Sequence, residues 1–140
     1  MNQSSMQTST STEVLNEILK AIDGEYTAIA CYELLANQAP NDEMKKRILE
    51  IRNDEIRHYT TFWYLYISLT GKQPSPKMTR QCPSDFKSGV LLHSKMNKKP
   101  LTSITKSREV PITQLLDAFT HASADQQNHA VWFLYFLNNL

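Results

Sequence analysis

The sequence is poor in the residues that build turns and in those that build cross-links. Three glycines and six prolines in 140 residues are too few for the many tight turns of a sandwich or barrel, and the dominance of Leu, Ile, Ala, Glu, Lys, Gln and Asn favours helices. No apolar run reaches the roughly eighteen residues of a membrane span, so no membrane-spanning helix is expected. The first residues, MNQSSMQTSTST, lack a basic stretch followed by an apolar one, so no secretory leader is expected and a soluble, cytoplasmic protein is. Two cysteines, Cys31 and Cys82, form neither a C-x-x-C pair nor a zinc-binding spacing, so the spacing supports neither a redox dithiol nor a cysteine metal site. Cys31 reads as a small buried hydrophobe. Excess charge of one sign is also missing: the net charge is +1, which gives no reason to expect nucleic acid or an anionic membrane as a partner. Only the stretch from Lys87 to Glu109 is biased, at +5. It lacks the interleaved aromatics of a nucleic-acid surface.

What is present is helical periodicity over a length that suits one domain. Residues 1–11 are too polar to offset the entropy of ordering them and read as a disordered tail, leaving 12–140 as a single helical domain. Thr12 is placed to cap a first helix with Leu15, Ile18, Ile22, Ile29, Tyr32 and Ala36 on its apolar stripe, ending at Pro40-Asn41. A second helix from Asp42 to Gly71 carries Met44, Ile48, Ile51, Phe62, Leu65 and Leu69. The two make an antiparallel hairpin. Residues 72–85, with Pro74, Pro76 and Pro83, read as a crossover, and a last helix starts near Pro111 with Leu115, Phe119, Ala122, Phe133, Phe136 and Leu140 in line. Between Phe86 and Val110 no period is sustained, so the third helix of a bundle is expected to be broken or shortened. Half-covered partner helices would then favour a homodimer.

Polar residues interrupt each stripe at its middle. Glu25 lies between Ile22 and Ile29, Glu55 and His58 between Ile51 and Phe62, Gln126 and His129 between Ala122 and Phe133. An ionised carboxylate in an apolar interior is costly unless it is paired or binds a metal. Glu55 and His58, three apart, share a helix face, and a Glu from the neighbouring helix completes a set of oxygen and imidazole donors suited to iron or manganese, with zinc an alternative. Glu25, Glu55, His58 and His129 are therefore the candidate metal ligands. Tyr32, two turns beyond Glu25 on the same face, is the candidate catalytic residue, close enough to bond a ligand carboxylate.

Glu25-x-x-Ala28-x-x-x-Tyr32, Asp54-Glu55-Ile56-Arg57-His58 and Leu69-Thr70-Gly71, spread over residues 13–74, resemble the first half of a rubrerythrin-type member of the ferritin-like family, in particular the small members of spore-forming bacteria. The resemblance implies an all-α, ferritin-like four-helix bundle of two helix hairpins. It also implies two irons, held by a Glu and an E-x-x-H from each hairpin, and peroxide or dioxygen reduction with an external electron donor, since no rubredoxin-like cysteine module is present. Glu25, Glu55, His58 and His129 match those ligands. Gln126 stands where the second bridging Glu belongs, and Met96-Asn97 where helix three should supply another. The second metal position is accordingly expected to be impaired, and a structural or coat-associated bundle with one weak site, or none, is the alternative. The irregular stretch has a further reading. The codons of Met96 and Asn97, displaced by two nucleotides, necessarily contain a glutamate codon, and synonymous codons beyond it permit EQKTVDFYHEIARSA, a good helix. Residues 91–109 are on this reading encoded out of frame.

Overall fold

The computed structural model describes residues 2–95 and 112–140; the side chains of residues 2–11 and of residue 112 are outside that description. Among the described residues four helices follow one another, α1 (Asn2–Gln38), α2 (Asp42–Thr70), α3 (Phe86–Lys95) and α4 (Ile112–Asn138), and there is no strand. The backbone of α1 starts at Asn2, within the stretch read as a tail, so Thr12 lies inside the helix instead of capping it. Pro40 explains its other end, since the residue before a proline is pushed out of the helical region.

The ends of α2 are written in its local chemistry. Asn41 is extended, and its side chain accepts a hydrogen bond from the Met44 N–H at 2.9 Å, while Asp42 and Glu43 face the positive end of the helix dipole. At the other end Gly71 turns to a φ of 69° and donates its N–H to the Ile67 carbonyl, a conformation that an L side chain resists. Twenty-nine residues give α2 a length of about 44 Å.

Residues 72–85 form a strap along α1. Lys77 N–H donates to Asp23, the Thr79 N–H and hydroxyl donate to the Thr27 hydroxyl, Cys82 is disulfide-bonded to Cys31, and Gln38 donates to the Ser84 carbonyl. The lengths agree. From Asp23 to Gln38 the helix rises about 22 Å, and the chain from Lys77 to Ser84, when extended, spans about 23 Å. The strap thus runs parallel to α1 and delivers α3 to the end of the molecule where α1 finishes. There Gly89 lets α3 close on α1: a Cβ at this position would meet Leu35 Cδ1 at 2.5 Å. Much of the segment expected to be irregular, from 96 to 111, lies outside the described residues, as does most of the out-of-frame reading; its first residues, 91–95, are the end of α3.

The interior has two apolar clusters. One gathers Val14, Ile18, Ile22, Phe62, Leu65 and Leu115; the other gathers Tyr32, Leu35, Ile48, Ile51, Phe133 and Phe136. The α1 stripe is shifted by one residue from expectation at two places, with Val14 and Ala28 buried while Leu15 and Ile29 are half-buried. Phe119 in α4 is half-buried, and Leu140 lies exposed beyond the end of that helix. No described helix is long and apolar enough to cross a membrane.

Candidate metal centre

Between the two apolar clusters lies a layer of buried polar groups. Glu25 and Glu55 are 0% exposed, Gln126 and His129 3%, His58 7%. Helical spacing puts them there: each belongs to the apolar stripe of its own helix, so what packs the stripes inward also carries these groups inward.

Glu25 from α1 and Glu55 and His58 from α2 each bring one ligand atom to within 4.8 Å of the others. Two carboxylates and an imidazole in one buried place could hold a metal ion. The donor set fits a divalent ion of intermediate hardness, because it offers oxygen and nitrogen and no thiolate.

His129 approaches from α4. Its Nδ1 is 3.2 Å from Glu55 Oε1, and His58 Nδ1 is 3.8 Å from Glu55 Oε2, so one carboxylate is flanked by an imidazole on each side. Neither Nδ1 makes a hydrogen bond to a described residue. The far nitrogens do. His58 Nε2 is 2.8 Å from Asp125 on α4, and His129 Nε2 is 2.9 Å from Asp54 on α2. The two helices therefore support each other's histidine, each through an aspartate four residues before its own. A carboxylate on Nε2 fixes the proton there and turns Nδ1, with its lone pair, towards the centre. Burial pushes the His129 pKa down, against the opposing pull of the Asp54 and Asp125 charges.

Tyr32 is buried beside this layer. Its hydroxyl shares a hydrogen bond with Gln126, and its ring stacks on Phe133 and on His93, whose centroid is 4.5 Å away. Burial raises the Tyr32 pKa far above the ordinary phenol value, so the phenol keeps its proton. Gln126, the neutral counterpart of Glu55 on α4, is thus engaged with Tyr32.

Two clefts between α2 and α4 lead towards the layer. One, of about 430 Å³, is lined by Arg57, His58, Thr61, Gln114 and His121; the other, of about 230 Å³, by Asp54, Asp125, Asn128, His129 and Trp132. The Arg47 guanidinium lies 3.9 Å over the Trp132 ring at the second.

The chain is 43% identical over 125 residues to the uncharacterized protein YhjR of Bacillus subtilis (strain 168), a match covering 89% of this chain and 86% of that one. The chain belongs to the YhjR family. No family model and no solved structure matches it.

Three features of this YhjR-family chain were not read from its sequence. The Asp54 and Asp125 partnership has a visible signal, an Asp four residues before each interrupting histidine. His93 has none, since it falls where the helical period fails; it is 1% exposed, neither ring nitrogen bonds a described residue, and burial, then the charges of Arg80 and His129, lower its pKa to about 3. The third corrects an expectation. Cys31 is buried as expected, yet it is joined to Cys82, because the strap brings together sulfurs that lie 51 residues apart and sequence spacing does not report such proximity.

Proposed function

We propose that this protein is a rubrerythrin-like, iron-binding member of the ferritin-like superfamily, with one intact metal position and a weakened second one. The observation that carries the reading is the convergence of Glu25, Glu55 and His58 in a buried layer with two clefts leading to it. Two carboxylates buried together repel each other, and a divalent ion is a partner that also uses the Nδ1 atoms turned towards Glu55.

In this reading Glu25, Glu55 and His58 would hold the first ion, with Asp125 orienting the His58 imidazole. His129, oriented by Asp54, serves the second. Bound iron would supply redox chemistry towards peroxide or dioxygen. Tyr32 keeps its proton and steadies Gln126 at the edge of the layer. The wider cleft admits a small oxidant past His58, the one residue of the three-ligand set that lines it.

Gln126 favours a second reading, a non-catalytic bundle with one weak site or none, because an amide in place of a carboxylate withholds charge from the second position. Iron analysis of anaerobically purified, Fe(II)-reconstituted protein separates the two. At least one iron per chain, absent from Glu55→Ala, supports the metal-protein reading; no iron in either supports the structural one.

A further inference from the structure

The chain's two cysteines are bonded to each other, and neither belongs to the Glu25, Glu55 and His58 cluster. The bond sits between polar ties that already hold the strap in register. Lys77 to Asp23 and Thr79 to Thr27 lie on one side of it, Gln38 to Ser84 on the other. A disulfide stabilises chiefly by restricting the unfolded chain, whereas in the folded chain these hydrogen bonds also hold the strap against α1 on both sides of the bond. Opening the bond therefore leaves the strap in place and the two sulfurs within reach of one another.

Along α1 the bond lies about two turns from the buried layer. Cys31 is the residue before Tyr32, whose hydroxyl contacts Gln126, and it lies six residues beyond Glu25, a helix rise of about 9 Å. The strap contributes Arg80, two residues before Cys82, whose charge acts on both Tyr32 and His93. Cys31 is 2% exposed. An oxidant in bulk water meets little of its thiol, so oxidising equivalents reach it from the protein side. Cys82, half-buried on the strap, is the sulfur that an external thiol can attack.

We propose that Cys31 and Cys82 are a working two-electron couple that supplies the reducing equivalents for a peroxide reduced at the Glu25, Glu55 and His58 centre. The inference rests on the metal-protein reading above. In the forward step the two S–H bonds break and an S–S bond forms; the thiols release two electrons and two protons, the peroxide O–O bond breaks, and hydrogen peroxide becomes two waters. Two equivalents of a low-molecular-weight thiol then restore the couple: the first attacks Cys82, breaking the S–S bond to form a mixed disulfide and release the Cys31 thiol, and the second displaces Cys82 as a thiol and leaves as the small-molecule disulfide. The chain is in this account a thiol-dependent peroxide reductase that carries its immediate electron source within it.

The test follows the sulfurs and the iron in the same sample. The reduced, Fe(II)-loaded protein receives one equivalent of hydrogen peroxide, is quenched with acid and alkylated, and the Cys31–Cys82 bond is quantified by mass spectrometry while iron oxidation state is read spectroscopically. The expected result is one disulfide per peroxide with iron returned to the ferrous state, disulfide formation at least tenfold slower in the apoprotein and in Glu55→Gln, and iron left ferric in Cys82→Ser. Ferric iron beside two intact thiols overturns the inference and leaves the metal reading standing. Equal disulfide formation with and without iron overturns it too, and failure to bind iron at all overturns both.

Discussion

Helices α2 and α4 carry one pattern with a single change of chemistry. Asp54-Glu55-x-x-His58 and Asp125-Gln126-x-x-His129 place an aspartate, a central polar residue and a histidine at the same intervals, and the aspartates are exchanged between the helices so that each orients the other's imidazole. Where α2 has a carboxylate that faces both histidines, α4 has an amide bonded to Tyr32. The same scaffold thus gathers a donor set that could hold a metal ion on one side and carries an amide in place of the carboxylate on the other, without disturbing the cross-links. A buried polar layer is an arrangement of outer supports as well as of inner groups, and here the supporting aspartates are symmetric while the central residues, Glu55 and Gln126, are not.

The comparison breaks most visibly at the ligands themselves. Glu55→Ala is expected to weaken Fe(II) binding by more than about 100-fold, beyond the loss usual for an outer partner, and His58→Ala to cost far more than His129→Ala. Competition with a chromophoric chelator measures both. At the supports the expected effects are smaller and unequal: Asp125→Asn, which frees His58, lowers affinity by about 10–100-fold, while Asp54→Asn, which frees His129, changes it little. Equal losses for the two would mean that both histidines bind the same ion.

A third effect is on the metal-free fold. Burial lowers the pKa of both His93 and His129, so below about pH 6.5 the unfolded chain binds protons that the folded chain refuses, and stability falls as the pH falls. For His93, whose folded value is about 3, the loss is about 1.4 kcal/mol per pH unit over the window between the two values, or about 2 kcal/mol from pH 6.5 to 5. Urea melts of the apoprotein and of His93→Leu check this, the variant being the less pH-dependent by that amount. The smallest effect is local. Gly71→Ala, which forces a Cβ into the left-handed region, is expected to cost about 1 kcal/mol in the same melts.

Much of this was legible in the sequence because helices advertise their inner faces. The bounds of α2 follow from Asn41 and Gly71, and the polar layer follows from asking what interrupts each stripe. Errors of one residue, such as Leu15 for Val14, arise because neighbours on a helix differ by only about 100° and a wide stripe tolerates either. The disulfide and the His93 contacts were not legible for a different reason. Both depend on how the strap runs along α1 and where it delivers α3, and that path is fixed by side-chain ties between distant residues, such as Thr79 with Thr27, which have no period.

The central claim, that α2 completes a metal position and α4 withholds a second one through Gln126, is tested most directly by titrating Fe(II) into the anaerobic apoprotein and into Gln126→Glu and counting tightly bound ions. One ion per chain in the natural sequence and two in the variant is the predicted result; two in both, or none in either, would contradict it.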